Sequence, residues 1–504
     1  MSSAIPNLIV ICSDHHRASA SGCYGNPVVR TPALDRLAGQ GVQFNRCFSQ
    51  NPVCAPARGS ILTGCNCHRT GILRNGVSLP RSIPTLADLW KARGAATASV
   101  GKLHLTPQQE GVAEAPYFGF DRVEPVEDNS VGPYLDWALK NYPEHAGYLI
   151  GTLFNIPANP DYWKGRRDFR NEVQACRAAH VLPREISATC NWGFGHYSPL
   201  PEEAHKNTWI TDRATGIVKG HDTGKPLCLW VGYVDPHNPF DPPGRFQRMY
   251  DPDAVDAPVY RPGEEAGWTP HHKALHAYTG AFTDRDWRVL RSLFYGSVTF
   301  MDEQIGRLLA AVESRLDMSN TIILYLSDHG DILGDHRIIG KNCYHYDGGI
   351  RVPLLARWDG RWKAGVKTDA FVEQPDIVPT LLQACGLDTT SSLPPDGLSF
   401  APVLDGSSQA GPRDHAFIES FSGAPEDRTP APANWARTIR TEGWRATFYP
   451  GPVGELYDLR NDPCESVNLF GDPRFGGVVE QHRRILVDRL TRLDYPLRKT
   501  HYAV

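Results

Sequence analysis

The sequence predicts an α/β fold in which a large central, mainly parallel sheet is sandwiched by helices, followed by a small C-terminal antiparallel sheet with one helix. Three observations predict it. Short apolar runs recur along the chain, as buried strands do. Stretches with helical periodicity lie between those runs, which favours parallel strand pairing. After residue 410 the chain changes to closely spaced, short strand-like segments.

The first domain is predicted to span 1–410. Its apolar runs lie at 7–12, 226–234 and 321–328. Its helical stretches include 31–40, 82–93 and 297–314. Between residues 120 and 220 the pattern is less regular and rich in aromatic residues, so this stretch is interpreted as a variable excursion from the sheet. It either forms a wall of the pocket or packs against the core.

The second domain is predicted to span 411–504, because residues 386–411 are rich in serine, proline and glycine. Its predicted strands lie at 415–421, 435–441, 444–448 and 456–459. The periodicity of 478–493 predicts one helix beside that small sheet.

Polar side chains follow the apolar runs of the first domain. Asp14 follows the first run, His237 the second, and Asp328 and His329 the third. Ligands of open α/β sheets bind beyond the carboxyl ends of the strands, so these side chains are expected to face one site. Carboxylates and an imidazole from distant parts of the chain suit one divalent cation. The alternative for a lone Asp-His pair is a turn or a helix cap.

The composition is that of a soluble globular protein, with 504 residues, 41% hydrophobic and 21% charged. The chain has 52 basic and 56 acidic residues and a formal net charge of -4, so no nucleic-acid partner is expected. No apolar run approaches the roughly 18 residues of a membrane span, so no membrane partner is expected. The first residues lack the charged start of a signal peptide, and we expect a cytoplasmic protein.

The 12 cysteines are scattered through a long chain, which is unlike a disulfide framework. Cys65, Cys67 and His68 suggest a zinc site. A second ligand pair at the usual spacing is missing, so buried thiols are the preferred interpretation.

Cys54 stands apart because Pro56 and Arg58 follow it. Pro56 suits the first turn of a helix. Cys54 would then lie at a helix N-terminus, where backbone N–H groups favour an anion.

The stretch Cys54-Ala-Pro56-Ala-Arg58, followed by Leu62-Thr63-Gly64, resembles the signature of the sulfatase family. Further stretches resemble other motifs in the family's order, and together they cover nearly the whole chain except about 120–220. These stretches are Ser13-Asp14-His15-His16-Arg17, Gly22-Cys-Tyr-Gly-Asn26, Thr31-Pro-Ala-Leu-Asp35, Val100-Gly-Lys102-Leu-His104, Asp235-Pro-His237-Asn-Pro239, Ser327-Asp328-His329-Gly330, Gly340-Lys341, Gly348-Gly-Ile-Arg-Val-Pro353 and Leu456-Tyr-Asp-Leu-Arg-Asn-Asp-Pro463. The resemblance implies an alkaline-phosphatase-like fold and a formylglycine-dependent, arylsulfatase-like hydrolase.

The resemblance also implies which residues form the site, and it makes 1–410 the catalytic domain. The implied metal ligands are Asp14, Cys54, Asp328 and His329, with His15 as a further candidate. The implied catalytic residues are Cys54, Arg58, Lys102, His104, His237 and Lys341. The implied substrate contacts are Asn75 and His336.

In the family this cysteine is oxidised to formylglycine by a formylglycine-generating enzyme, which reads Cys-x-Pro-x-Arg as an extended chain. The aldehyde hydrates to a geminal diol, and one of its oxygens, held on the metal, attacks sulfur. The second oxygen then expels sulfate and restores the aldehyde. A plain thiol or alcohol lacks that second hydroxyl.

By the same resemblance, Arg58 holds the hydrated aldehyde, while Lys102 and Lys341 bind sulfate oxygens and neutralise their charge. His104 takes the proton from the second hydroxyl, and His237 protonates the leaving oxygen, with help from Lys341. Lys102 and His104 are two residues apart, so on a strand both side chains would point to one face. A solvated strand edge would show the same spacing.

Two positions depart from the family pattern. His15 stands where relatives often carry Asp or Gln, and Ala57 stands where the commonest form has Ser. Ala57 is expected to be tolerated, because Cys, Pro and Arg are the main recognition elements. Many sulfatases use calcium, which prefers oxygen ligands, whereas imidazoles favour manganese or a similar ion. The sequence leaves calcium and manganese open.

The leading hypothesis is hydrolysis of a small-molecule sulfate ester. The first alternative is a phosphonate monoester or phosphodiester hydrolase of the same superfamily, although those enzymes generally lack the pair found here at Lys102 and His104. An inactive, sugar-binding relative is disfavoured because every proposed catalytic position is present. An unmodified Cys54 would leave a metal-dependent, phosphoesterase-like protein. The sequence does not decide whether the organic half of the substrate is an aryl, alkyl or sugar group. It also does not decide the oligomeric state, although homo-oligomers are common in the family.

Overall fold

A computed structural model describes residues 5–107, 117–153, 156, 160–165, 167–179, 194–341, 344–387, 396–421 and 435–493. The predicted excursion at 120–220 is therefore described only in part, and its residues 180–193 lie outside the described ranges.

The three strands predicted from apolar runs and the four predicted after residue 410 lie close to their predicted positions, whereas the sequence did not predict the other six. The strands of the described residues are β1 (Asn7–Ser13), β2 (Val42–Phe48), β3 (Ala96–Gly101), β4 (Arg122–Pro125), β5 (Leu227–Gly232), β6 (Thr321–Ser327), β7 (Arg351–Val352), β8 (Leu354–Trp358), β9 (Val366–Glu373), β10 (His415–Phe421), β11 (Trp435–Thr441), β12 (Trp444–Phe448) and β13 (Gly454–Asp458).

The helices vary from single turns to one long helix. They are α1 (Pro32–Gln40), α2 (Cys54–Thr63), α3 (Cys67–Thr70), α4 (Leu86–Lys91), α5 (Pro133–Asn141), α6 (Ala146–Gly151), α7 (Glu172–Ala179), α8 (Lys206–Gly220), α9 (Pro270–Thr279), α10 (Asp284–Arg315), α11 (Asp347–Ile350), α12 (Ile377–Ala384), α13 (Ala401–Leu404) and α14 (Gly476–Leu493). Within the described ranges, no helix combines the length and apolar character that crossing a bilayer requires.

The large sheet has the strand order β4-β3-β5-β1-β6-β8-β2-β7, with β9 paired to β2. Strands β4, β3, β5, β1 and β6 pair in parallel. Strand β8 runs antiparallel to both β6 and β2, and β7 runs antiparallel to β2. The sheet is therefore mixed but mostly parallel, and the predicted fold class is confirmed.

Both faces of this sheet are covered, as the nearly continuous apolar strands predict. On β1, Leu8 and Val10 pack in one core with α2, α4 and α12. Ile9 and Ile11 point to the other face, where they pack in a second core with α1, α8 and α10. Because successive side chains of a strand point to opposite faces, one strand contributes to both cores.

Helix α10 is much longer than the predicted helix at 297–314. It begins at Asp284, after a capping box in which the Thr283 hydroxyl accepts from the Asp286 N–H and the Asp286 carboxylate accepts from the Thr283 N–H. Charged residues in its first turns hide the helical pattern in the sequence. One of them, Arg291, is buried and pairs with Asp335 at 2.8 Å, so it lies on the packed face in spite of its charge.

The described part of the aromatic-rich excursion packs against the sheet. Tyr148, Trp163 and Trp209 are buried in the core that contains α1, α8 and α10. For these three residues the packing alternative is confirmed.

The C-terminal strands form a separate antiparallel sheet in the order β10-β11-β12-β13. Phe417 and Ile439 of this sheet pack against Leu486 of α14. From β10, Ala416 and Ile418 also pack with Phe48 of the large sheet, so the small sheet is joined to the large one through apolar contacts. The predicted small sheet with one helix is confirmed, and β13 begins two residues before its predicted start.

A buried carboxylate on β10, Glu419, adds a polar connection between the two sheets. It accepts hydrogen bonds from Gln50 Nε2 at 3.0 Å, from Cys67 Sγ at 3.2 Å and from His68 Nδ1 at 2.5 Å. Burial opposes its ionisation, but His68 outweighs burial and lowers the pKa of Glu419 to about 2. Cys65 and Cys67 are both buried thiols, as the sequence predicts.

We expect Glu419→Gln to destabilise the protein by about 2–4 kcal/mol, because the donors of Gln50, Cys67 and His68 lose a buried, charged acceptor. The pKa of Glu419 is lowered, so its contribution is present above the usual 4.5 and is lost as pH falls towards about 2. Burial opposes protonation of His68, but Glu419 raises its pKa, so its contribution is complete below the usual 6.5 and is lost at higher pH. Thermal unfolding should therefore show the largest difference from wild type between those two values.

The matched control is Glu442→Gln, since Glu442 is 62% exposed and pairs with Arg46 at the surface. It should change stability by less than about 0.5 kcal/mol. Equal melting temperatures for the two variants would show that the Glu419 contacts contribute nothing.

Candidate active site

The site lies at the carboxyl ends of four adjacent parallel strands, β3, β5, β1 and β6. Lys102 follows β3, His237 follows β5, Asp14 follows β1 and Asp328 follows β6. Asp14, Lys102 and Asp328 are completely buried. The structure thus brings together side chains that are more than 300 positions apart in the sequence.

Two glycines let β3 and β5 approach closely at this edge. A Cβ atom on Gly101, which has a φ of +83°, would collide with the carbonyl oxygen of Gly232. A Cβ on Gly232 would collide with the carbonyl oxygen of Lys102. That carbonyl instead accepts from Trp230 Nε1 at 3.0 Å and from Arg58 Nη1 at 2.7 Å. The glycines therefore allow the backbone after β3 to enter the site.

Lys102 and His104 lie beyond a strand and not on one, because β3 ends at Gly101. The two side chains reach the site by another route. His104 has a φ of 54°, a left-handed conformation that costs energy for a residue with a side chain. Glu127 fixes this turn, since its Oε1 accepts from the backbone N–H groups of His104 at 3.0 Å and Leu103 at 3.3 Å.

Cys54 is the first residue of α2, as its position before Pro56 predicts. All ten residues of this helix are buried. Val53 precedes the helix and offers no side-chain cap, but Asn75 Oδ1 accepts from the Ala55 N–H at 3.0 Å. Asn75, a predicted substrate contact, therefore holds the start of the helix that carries Cys54.

The Cys54 sulfur is surrounded by groups that favour an anion. Lys341 Nζ donates to it at 2.6 Å, and His329 Nε2 lies 3.4 Å away. Asp14 Oδ1 lies at 3.8 Å. Burial opposes ionisation of the thiol, but Lys102 and Lys341 outweigh it and hold the pKa of Cys54 well below its ordinary value. The site is therefore built to hold negative charge at position 54.

Arg58, one turn along α2, connects the helix to the strand ends. Its Nε donates to Asp328 Oδ2 at 2.8 Å, and its Nη2 lies 3.5 Å from Asp14 Oδ2. The guanidinium is fully buried. Burial opposes its charge, but Asp328 and other anions hold the pKa of Arg58 well above its ordinary value.

Lys102 lies between two carboxylates. Its Nζ forms short ion pairs with Asp14 Oδ2 and with Asp128 Oδ1. Burial opposes the charge of the ammonium, but Asp128 and Asp14 hold the pKa of Lys102 well above its ordinary value. Burial also opposes the charge of Asp14, and Lys102, His237 and Lys341 hold its pKa well below the ordinary value.

Four predicted metal ligands have the donor set and the arrangement that a divalent cation needs. Ligand atoms of Asp14, Cys54, Asp328 and His329 all lie within 4.8 Å of one another. His329 Nδ1 donates to the carbonyl oxygen of Gly330 at 2.9 Å. This bond fixes the tautomer and leaves the Nε2 lone pair facing Asp14 Oδ1 at 3.6 Å.

His15 belongs to a second, overlapping group of candidate ligands, with Asp14, Cys54 and His237. Its Nδ1 is paired with Asp331 Oδ2 at 2.7 Å, and its Nε2 lies 3.8 Å from Asp14 Oδ1. A carboxylate on the far nitrogen is the usual support of a metal-binding imidazole. His15 is therefore oriented as a further ligand would be.

His237 lies on the loop after β5 and reaches the same cluster. Its ring centroid is 4.2 Å from that of His15, and its Nε2 is 4.0 Å from Asp128 Oδ2. Its Nδ1 donates to the carbonyl oxygen of Asn238 at 2.5 Å. The Nε2 atom is thus the one that faces the site.

His336, the other predicted substrate contact, lies beside Tyr346 and Glu264. It is buried, its ring stacks on Tyr346 at 4.0 Å, and its Nδ1 pairs with Glu264 at 3.1 Å. Among the contacts within the described ranges, none joins His336 to Cys54. Its left-handed backbone, with a φ of 55°, belongs to the loop that leads to Lys341.

Sequence reasoning missed Asp128 and Asp331. Asp128 follows β4, so the rule that ligands gather at strand ends would apply to it only if β4 were recognised as a strand. The β4 sequence, Arg-Val-Glu-Pro, lacks the apolar run that marks the other strands. Asp331 is three residues after Asp328 and could have been noticed by that proximity alone.

Comparison with known proteins agrees with this geometry. The family model described as Sulfatase matches residues 6–387, and the model described as N-sulphoglucosamine sulphohydrolase, C-terminal, matches 334–492. An arylsulfatase of Clostridium perfringens is 27% identical over 96% of this chain and 94% of its own length. The multifunctional alkaline phosphatase superfamily protein PehA of Trinickia caryophylli is 28% identical over 98% and 97%.

Among solved structures, the phosphonate monoester hydrolase of Silicibacter pomeroyi superposes with a TM-score of 0.78. The match covers 97% of this chain and 95% of the other, with 24% sequence identity. At this level of identity the likeness supports the fold alone.

Arg58→Lys should destabilise the protein by about 1–3 kcal/mol, because a lysine cannot serve Asp328 and the Lys102 carbonyl at once and leaves a buried group unpaired. The matched control is Arg36→Lys, since Arg36 is 41% exposed and pairs with Glu313 at the surface. Chemical denaturation would measure both. Similarly small losses of unfolding free energy in the two variants would show that the buried contacts of Arg58 contribute no more than a surface ion pair.

Proposed function

The chain belongs to the sulfatase family of sulfuric ester hydrolases, and we propose that it hydrolyses small-molecule sulfate esters with Cys54, converted to formylglycine, as its nucleophile. The observation that carries this proposal is the surrounding of the Cys54 sulfur. It lies at the start of a buried helix, 2.6 Å from Lys341 Nζ, with Lys102 and His104 beside it. Such a pocket suits an anionic group and an anionic nucleophile.

The Cys54 sulfur stands in for the oxygens of the modified residue. Hydrated formylglycine would supply one hydroxyl to attack sulfur and a second through which the aldehyde is restored. The contacts of the thiol would serve those oxygens equally well, since Lys341 donates and His329 Nε2 accepts.

The formylglycine-generating enzyme would be a partner during maturation only. Cys54, Pro56 and Arg58 are all buried, so this motif is inaccessible in the folded chain. Conversion must therefore precede folding of the helix onto the sheet.

One divalent cation would be held by Asp14, Asp328, His329 and residue 54, with His15 as a fifth ligand. When bound, it would supply positive charge that stabilises the anionic form of the nucleophile. The imidazoles favour manganese or a similar ion over calcium, which prefers oxygen ligands.

The remaining residues would act on the sulfate group. Lys102 and Lys341 would bind its oxygens and offset the charge that moves during sulfuryl transfer. His104 would accept the proton of the second hydroxyl. His237, whose Nε2 faces the site, would donate a proton to the leaving oxygen. Arg58 would hold residue 54 in place through Asp328 and the Lys102 backbone.

The phosphonate hydrolase alternative shares the fold, and side activity on phosphonate or phosphate esters is expected. The Lys102–His104 pair favours sulfate ester hydrolysis. Both side chains are within the Cys54 cluster, where they would hold sulfate oxygens and assist release of sulfate.

We expect the peptide that contains Cys54, from protein made in its native host, to show the mass of formylglycine. The same preparation should release sulfate from an aryl sulfate, and a chelator should abolish the activity. Cys54→Ala should reduce kcat by at least about a thousandfold because it removes the nucleophile. Cys65→Ala, at a buried thiol outside the site, is the control. An unmodified thiol in fully active protein would contradict the aldehyde mechanism.

We expect His237→Ala to affect poor leaving groups most, because they depend on protonation of the departing oxygen. For phenyl sulfate, kcat/KM should fall by roughly 10²- to 10⁴-fold. For 4-nitrophenyl sulfate, whose phenolate leaves readily, the loss should be much smaller. His145→Ala, outside the site, should leave both rates unchanged. Equal losses for the two esters would show that His237 is not the acid.

A further inference from the structure

We propose that Asp128 is a specificity-determining residue. Its carboxylate removes one unit of positive charge from the pocket around residue 54, which favours sulfate esters, with one negative charge, over phosphate monoesters, with two. The inference rests on the proposed function, because it concerns selection of the sulfate group in the same pocket.

Asp128 occupies an unusual position for an acid. It follows β4, is 6% exposed, and forms a short ion pair with Lys102 through Oδ1. Its Oδ2 lies 4.0 Å from His237 Nε2. One of its carboxylate oxygens lies within 4.8 Å of the ligand atoms of Cys54 and His104. An anion-binding pocket therefore contains a carboxylate that is not among the four predicted metal ligands.

The charges of the pocket show what this carboxylate does. Three cations lie in the pocket, and each of three carboxylates is within ion-pair distance of at least one of them. The cations are Arg58, Lys102 and Lys341, and the carboxylates are Asp14, Asp328 and Asp128. With Asp128 present these side-chain charges cancel, and a divalent cation at the proposed metal ligands would supply the excess positive charge. Without Asp128 the remaining five side chains would carry one net positive charge.

The effect of that charge depends on the charge of the ligand. Coulomb energy is proportional to the product of the charges, so the repulsion between Asp128 and a dianion is twice that between Asp128 and a monoanion. At separations of about 5 Å in a partly buried site, one such increment corresponds to roughly a tenfold change in affinity or more. A change of shape alone would affect tetrahedral monoanions and dianions alike.

The test compares three substrates with the same leaving group in Asp128→Asn, Asp128→Glu and Asp136→Asn. Asp136 is an exposed residue of α5, so its substitution makes the same chemical change away from the site. The substrates are 4-nitrophenyl sulfate, a 4-nitrophenyl phosphonate monoester, and 4-nitrophenyl phosphate at about pH 8, where a phosphate monoester is a dianion. Ratios of kcat/KM within one variant are independent of how much protein is folded or modified.

In Asp128→Asn, the phosphate-to-sulfate ratio should rise by roughly tenfold or more. The phosphonate-to-sulfate ratio, between two monoanions, should change by less than about twofold because both carry the same charge. Asp128→Glu and Asp136→Asn should keep both ratios near wild type. The proposal is wrong if the phosphate and phosphonate ratios move together, or if neither moves.

Anion binding provides a measurement that needs no turnover. Calorimetry would compare the affinities of Asp128→Asn and wild type for inorganic sulfate, a dianion, and for perchlorate, a tetrahedral monoanion. The gain in affinity of the variant over wild type should be roughly tenfold larger for sulfate than for perchlorate. Absence of sulfate ester hydrolysis in the wild-type protein would defeat the proposed function, and this comparison would still test Asp128. Equal gains for sulfate and perchlorate would overturn the role assigned to Asp128.

Discussion

The buried carboxylate of Asp14 is the charge on which the rest of the site depends. It is completely shielded from solvent, and such a charge costs several kcal/mol unless it is paired. Lys102 pairs with it directly, and Arg58 and His329 lie at 3.5 and 3.6 Å. Each of these groups needs a further partner. Arg58 finds Asp328, and Lys102 finds Asp128. The network therefore extends from Asp14 through Lys102 and Arg58 to the further carboxylates of Asp128 and Asp328.

This network exists because the sheet brings the strand ends together. Parallel strands β3, β5, β1 and β6 end at one edge, so a side chain just beyond each strand enters a shared space. Gly101 and Gly232 bring two of these ends into close contact, which would be impossible with any side chain at either position. The Lys102 carbonyl can then meet Arg58 of α2. The close packing of β3 against β5 thus helps to set the position of Arg58, and with it α2, against the sheet.

Much of the site could be predicted from the sequence because apolar runs identify strands, and strands identify an edge. Asp14, His237 and Asp328 each follow such a run. Asp128 could not be found in this way, because β4 is partly exposed and carries charged residues. His336 has a motif-like position near Lys341, but a left-handed turn directs it towards Tyr346. Local pattern predicts which residues end a strand, whereas the direction of a loop side chain depends on packing.

The burial of α2 connects folding with maturation. Arg58 belongs to the motif that the modifying enzyme is proposed to read, and in the folded chain the same guanidinium is fully buried against Asp328. The two roles are incompatible in time, because a side chain bound to Asp328 is unavailable to another protein. Folding of α2 onto the sheet would therefore end the period in which Cys54 can be modified. Since Arg58 stabilises the folded site whether or not position 54 is converted, the fold itself provides no barrier against trapping an unmodified thiol.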